Sequence, residues 1–358
     1  MPTSSVNCRR GLGRALAVEA LAVLAVAGLA LTPSCHDGGG AALASGTAAS
    51  NSFENQPLPA REQPPFSFVV TGHIYGRPGA DQPRPASTLQ QNAQLLAASA
   101  PDFSVLLGDT IFGWQASEIG ITLPFLRSNI PGPIFNPLGN HELSNPQAHA
   151  TYFGQPWHAF DHAGCRMIAL DSESNPWLIT GQQRLFLLEE IAQLERREQP
   201  PALVCLFAHK PFWAMTPKTV LTAMLGNAAN NVTPLVVGHN EADSFARTVL
   251  PRLRALSQSM PVMCFAGDFG AFPPTNMHLF AQVDPEAPNL SYYGVGLGDD
   301  MRDAFLAVDV PAVGPPVVSA TQLTTGLPLR LEDYSHARWL ERWFPHGLPP
   351  SILILLGN

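Results

Sequence analysis

Five short apolar runs break off at a polar side chain, or at a glycine followed by one: "FSFVVTGHIYG", "FSVLLGDT", "PIFNPLGNHE", "ALVCLFAHK" and "PVMCFAGD". Each has the length and the β-branched or aromatic content of a buried strand. Amphipathic stretches separate them. Residues 87–100 read as a helix with Ser87 as its N-cap. Residues 181–198 read as a helix with Leu185, Leu188, Ile191 and Leu194 along one side. Residues 243–259 read as a helix that restarts at Pro251, a residue suited to a first turn. "AFLAVDV" and "PPVVSATQL" read as closing strands, and the apolar "SILILLGN" as a core-packing one. Strands interleaved with helices predict an α/β fold, sheet layers covered by helices.

A strand that ends on glycine delivers the next side chains to the carboxyl edge of its sheet. The residues standing there are His73 with Tyr75, Asp109, Asn140 with His141 and Glu142, His209, and Asp268. Carboxylate, imidazole and amide oxygen are the donors that a hard or borderline divalent metal takes. His239 in "VVGHNEAD" also follows a strand-like run and a glycine, and so rivals Asp268. Asp171 ends a core strand and reads as structural, and His149, His158, His162 and His278 belong to no motif.

Composition narrows the function. A formal charge of −8 argues against non-specific nucleic-acid binding, and 13% charged residues with 35 prolines suit a loop-rich globular protein. Residues 1–35 read as a signal peptide or lipoprotein signal: Arg9, Arg10 and Arg14 form a basic region, followed by an apolar run too short to span a bilayer comfortably. "LTPSC" makes Cys35 a candidate for lipid attachment, whereas "ALA" at 42–44 offers an ordinary cleavage site. Residues 36–63 read as a flexible tether and 64–358 as one domain. Export follows as an expectation, to the periplasm or to a membrane-anchored lipoprotein. Cys165, Cys205 and Cys264 remain outside the leader, an odd number that argues against a disulfide framework.

The order of these motifs resembles the calcineurin-like metallophosphoesterases. In that family D-x-H, G-D, G-N-H-[DE], a lone His after a strand, and G-H-x-H follow one another. Here "LLGDT", "PLGNHE" and "LFAHKPFW" match the middle three. The resemblance covers roughly residues 66–310 and implies a layered sandwich of two β-sheets flanked by helices. It implies an enzyme that hydrolyses a small-molecule or surface phosphate ester with a metal-activated water. Asp109 would bridge two metals, Asn140 and His209 would hold the second, His141 would be the general acid, and Glu142 would orient it. The outer motifs depart from the pattern. His73 stands in the Asp position and Tyr75 in the His position of the first, and Asp268 and Gly270 replace the two His of the last. The expected metal ligands are therefore His73, Asp109, Asn140, His209 and Asp268, with Tyr75 at the edge. They would take one firmly bound Mn, Zn or Fe ion, with a second ion weak or absent. Purple acid phosphatases, relatives of this family, ligate iron with a Tyr, but at the position of Phe112 here. A non-catalytic descendant that binds a metal or a phosphorylated ligand is the alternative reading.

Overall fold

The structure, a computed structural model, describes residues 51–79, 84–175, 178–213, 244–271 and 277–347. Strands β1 (Phe66–Thr71), β2 (Phe103–Leu106) and β3 (Ile134–Phe135) open one sheet. A second sheet holds β4 (His158–His162), β5 (Cys165–Ala169), β6 (Val204–Ala208), β7 (Val262–Ala266), β8 (Leu279–Asp284) and β9 (Ala287–Val295). The chain then returns to the first sheet through β10 (Ala304–Val310), β11 (Val317–Gln322) and β12 (Pro328–Leu329). Among the described residues this gives two six-stranded sheets, ordered β12-β11-β10-β1-β2-β3 and β4-β5-β6-β7-β9-β8. β1, β2 and β3 run parallel, as do β5, β6, β7 and β9. Their carboxyl edges carry the loops that matter below.

Side chains alternate faces along a strand, so each strand feeds two cores. Phe66, Phe68 and Val70 of β1, Phe103 and Val105 of β2, Cys205 and Phe207 of β6, and Met263 and Phe265 of β7 fill the space between the sheets. Phe68 stacks on Phe103 at 4.8 Å and meets Phe207 and Phe265 edge-on at 6.0 and 6.2 Å across the gap. Removing each such ring from water contributes roughly 1.5–3 kcal/mol. The alternate residues Val204, Leu206, Val262 and Cys264 face helices on the outer side of the second sheet. Val69 and Leu106 do the same on the first. The architecture is the α/β sandwich of two helix-flanked sheets that the sequence predicts.

The helices differ in detail from expectation. The first span forms α1 (Ser87–Asn92) and α2 (Gln94–Ala98), with Ala86 rather than Ser87 at the N-cap position. The Ser87 backbone N–H and hydroxyl both donate to the Asp299 carboxylate instead. Next come α3 (Ala116–Asn129), α4 (Pro146–Phe153) and α5 (Gly181–Arg196). The buried stripe of α5 is Leu187, Ile191 and Leu194, while Leu185 is exposed. The following span breaks into α6 (Phe245–Thr248) and α7 (Leu250–Leu256), with Pro251 in the first turn of α7 as expected. Within the assigned tether Asn51, Ser52 and Phe53 are buried, whereas residues 59–63 are exposed. Phe53 is fully buried and stacks on Phe153 at 5.2 Å, and Arg61 pairs with the buried Asp102. The leader with Cys35, the insertion at 223–243 and the tail at 351–358 lie outside the described residues.

Candidate active site

The loops that leave β1, β2, β6 and β7 interlock through backbone hydrogen bonds. The His73 N–H donates to the Gly108 carbonyl at 3.1 Å and the Tyr75 N–H to the Asp109 carbonyl at 3.3 Å. The N–H groups of Gly267 and Asp268 both donate to the His209 carbonyl at 2.8 Å. The His209 Nδ1–H donates across to the Leu107 carbonyl at 2.7 Å, which joins the second sheet's loops to the first's. Two side-chain-bearing residues are forced left-handed here, His73 at φ 56° and Asp109 at φ 55°. Each such conformation costs on the order of 1–3 kcal/mol and persists only where surrounding contacts impose it. Gly267 has no alternative: a Cβ on it would stand 2.2 Å from the Leu107 carbonyl oxygen.

The interlocked loops bring four predicted residues together. Asp109 Oδ2 lies 3.4 Å from His73 Nε2 and 3.4 Å from His209 Nε2. Asp268 Oδ1 lies 3.8 Å from the same His209 nitrogen. All four side chains are buried. Burial alone would suppress charge on both imidazoles, and for His73 it prevails, lowering it to about 4. At His209 burial is outweighed by Asp109, Asp268 and Glu173, which raise it to about 10. Burial works against ionisation of Asp109 too, but His209, His73 and His141 hold it well below the usual carboxylate range.

The second motif neighbour, His141, joins through its backbone. Its N–H donates to Asp109 Oδ1 at 3.0 Å, which leaves Oδ2 turned toward His73 and His209. Its ring Nδ1 is held by the Phe112 carbonyl, and its Nε2 lies 2.9 Å from the Tyr75 hydroxyl. His141 is 22% exposed, so the imidazole opens to solvent while the carboxylate behind it does not. Tyr75 is buried under that imidazole, with ring centroids 4.6 Å apart. Burial, then Asp109, keeps its phenol protonated far above neutral pH. Glu142 does not touch the His141 ring. Its carboxylate accepts the backbone N–H of Asp109, Thr110 and Gly139 at 2.8 Å each and the Trp114 indole N–H at 3.2 Å. It buckles two loops together rather than orienting the acid. Asn140 is exposed, and no hydrogen bond ties its side chain to the cluster. His239 lies outside the described residues. Asp171 is structural as expected: its Oδ1 accepts the N–H groups of Glu173 and Ser174.

Two residues of the cluster went unread in the sequence. Lys210 Nζ lies 3.2 Å from Asp268 Oδ2 and 3.4 Å from Glu173 Oε1, with both ends of each pair buried. Burial opposes the ammonium charge, but Asp268 and then Glu173 keep it firmly protonated. Burial raises Glu173 to about 8 despite Lys210 beside it. The available signal was a lysine inside the apolar run "LFAHKPFW", where no solvent-facing position is expected.

Whether these residues fit a metal can be judged from the donors. His209 Nε2 is buried without a hydrogen-bond partner, and because Nδ1–H is held by the Leu107 carbonyl, Nε2 is the nitrogen that would give up its proton to a metal. Two donors on one tetrahedral ion, each about 2.1 Å from it, stand roughly 3.4 Å apart, which is the pairwise spacing seen around Asp109 Oδ2. Yet among the described residues no group of three or more His, Cys, Asp or Glu side chains could hold a metal ion as placed. Donor type and spacing suit an ion only pairwise, at Asp109 Oδ2, and the side chains as they stand neutralise one another. Among the described residues, Gly270 offers no side chain, the Tyr75 hydroxyl lies at His141 Nε2, and Asn140 is exposed. A cavity of about 490 Å³ is lined by none of these groups but by His278, Arg302, Tyr334, Trp339 and others.

No family model and no curated protein matches the sequence. Among solved structures, a purple acid phosphatase from yellow lupin (Lupinus luteus) seeds matches with a TM-score of 0.50 at 13% identity, over 76% of this chain and 54% of that one. Vps29 of Chaetomium thermophilum matches with a TM-score of 0.32 at 13% identity, over 74% of this chain and 92% of that one. This chain thus spans about half the length of the lupin enzyme's chain. What it shares with that enzyme is the fold, a helix-flanked sandwich of two β-sheets of the metallophosphoesterase type.

Proposed function

We propose that this chain hydrolyses phosphate esters with the help of one divalent metal ion, and that His141 is its general acid. One observation carries the reading. Loops from separate strand ends bring Asp109 Oδ2 within 3.4 Å of both His73 and His209, set Asp268 3.8 Å from the same His209 nitrogen, and place the partly open His141 beside them. His73, Asp109, His209 and Asp268 would hold the ion. A bound Mn, Zn or Fe ion supplies charge neutralisation for phosphoryl oxygens and a water acidic enough to attack near neutral pH.

The remaining chemistry belongs to the side chains. Asp109 is clamped through Oδ1 by the His141 N–H, so its second oxygen cannot rotate away. The Phe112 carbonyl keeps a proton on His141 Nδ1, which makes Nε2 the atom where a proton is taken up or given away. Neutral His141 accepts the Tyr75 O–H at Nε2; once protonated there, it can release that proton to a leaving alkoxide. His141→Ala is expected to abolish ester hydrolysis in a phosphatase screen while leaving metal content nearly intact. Equal loss of metal and activity would count against this division of labour.

A second reading has its own support. Tyr75 already occupies His141 Nε2, and Lys210 already neutralises Asp268, as in a centre that binds but does not turn over. No hydrolysis of any phosphate ester by metal-loaded protein would favour a non-catalytic binder of a metal or a phosphorylated ligand. We also propose export, from the basic region and short apolar run at the N-terminus. Mass spectrometry that finds residues 1–44 retained on a cytosolic protein would refute it, and lipid attachment at Cys35 would instead bring the protein into the membrane fraction.

A further inference from the structure

The cavity of about 490 Å³ lies against helix α8 (His336–Trp343), and its volume falls within the roughly 300–1,000 Å³ of small-molecule sites. We propose that it binds a small aromatic carboxylate, a flat ring with one negative charge. The inference goes beyond the reading above, since none of the clustered residues lines this cavity. His278, just before β8, and Arg302, shortly before β10, line it together with Tyr334, Trp339, Arg342 and Trp343. The aromatic wall is held in place. The Trp339 indole N–H donates to the Leu279 carbonyl at 3.0 Å. The His278 ring meets Trp339 edge-on at 5.9 Å and Tyr334 edge-on at 5.5 Å. Trp339 and His278 are both buried, so this surface is formed before a ligand arrives, and a flat ring can settle on it at little cost in ordering.

Charge selects the rest of the ligand. Arg302 Nε lies 2.7 Å from Asp300 Oδ1, which compensates it. Burial, and then Arg302, keep the His278 ring uncharged near neutral pH. Arg342 differs from both. Among the described residues no carboxylate pairs with it: Glu341 pairs with Arg338 and Asp333 with Arg330, each at 2.8 Å. The Arg342 guanidinium lies 5.2 Å from the Tyr334 ring centre and 4.9 Å from that of Trp339, and its Nη2 donates to the Asp333 carbonyl at 2.8 Å. These contacts hold the group over the aromatic wall and leave donors in its planar fork for a carboxylate. One uncompensated cation also matches one negative charge, where a phosphate monoester would bring nearly two.

The experiment is calorimetric titration of the purified protein with 2-naphthoate, with acetate as a probe that carries only the charge and 2-naphthamide as one that carries only the ring. The expected result is one saturable site for 2-naphthoate, binding of 2-naphthamide weaker by about tenfold, and none of acetate in the same concentration range. Arg342→Gln is expected to weaken 2-naphthoate binding by about tenfold as well. Arg338→Gln removes an equal charge from the same helix at a residue outside the cavity wall, and should leave the affinity within about twofold. No saturable binding of 2-naphthoate by the native protein, equal affinity for the amide, or equal losses in the two variants would overturn the proposal. Sedimentation that finds a dimer in the native protein and its loss in Arg342→Gln would give the cavity to a second copy of the chain, and would overturn it too.

Discussion

Glu142 shows how a residue inside a motif can act on backbone instead of substrate. Its two oxygens accept four N–H donors from the loops after β2 and β3, and it is fully buried. An amide in its place would point two N–H groups at N–H donors. Glu142→Gln is therefore expected to lower unfolding free energy by about 2–4 kcal/mol, measured by urea denaturation. A loss under about 0.5 kcal/mol would mean that the buckle is dispensable. Tyr75→Phe removes only the hydroxyl at His141 Nε2. It should leave the fold and metal content intact and shift the pH profile of hydrolysis, and an unchanged profile would remove Tyr75 from proton handling. At this scale the sequence was legible where a motif names the residue: His73, Asp109, His141 and His209 all meet. Lys210 and Glu173 were not, because their pairing depends on how the loops after β5, β6 and β7 fold over one another, and no spacing along the chain encodes that.

The loops are as constrained as the side chains they carry. A Cβ on Gly267 would strike Leu107, and one on Gly108, at φ 78°, would come to 2.7 Å from His209 Nδ1. Gly267→Ala must move the backbone that joins the two sheets. The expected outcome is a loss of more than about 2 kcal/mol in stability together with weaker metal binding, read by denaturation and by metal titration. Unchanged values for both would show that the loops tolerate what the geometry forbids. The strands themselves were legible from their β-rich runs, since alternation sends Phe68 and Phe103 one way and Val69 and Leu106 the other. The N-terminus of the first helix was less so. Ser87 is a good cap residue, but Asp299 arrives from the loop before β10 and claims its hydroxyl. The burial of residues 51–53 was likewise hidden, because a single aromatic, Phe53, seats the start of a stretch whose composition reads as linker.

The whole molecule keeps several imidazoles neutral in its interior. Burial lowers His149 to about 4 and His278 to about 3, from 6.5 in the unfolded chain. Between those values and 6.5 the unfolded state binds more protons, so stability is fully present above pH 6.5 and falls as pH drops toward 4. His149 alone contributes up to about 3 kcal/mol of that loss. His149→Gln should flatten the dependence of unfolding free energy on pH between 6.5 and 4, and an equally steep curve would remove His149 as a source. At this scale the alternation of strands and helices made helix-covered sheet layers legible, and the division into two sheets came only with the resemblance of the motifs, because no local pattern says which strands pair.

The most direct measurement is hydrolysis of p-nitrophenyl phosphate by chelator-stripped protein titrated with Mn²⁺, in the native chain and in His209→Ala. His209 sets its buried Nε2 between Asp109 and Asp268, 3.4 and 3.8 Å away. The expected result is no hydrolysis by stripped protein, a rate that rises to a break at one ion per native chain, and no recovery in the variant. Hydrolysis that survives stripping, or none at any Mn²⁺ concentration in the native chain, would contradict it.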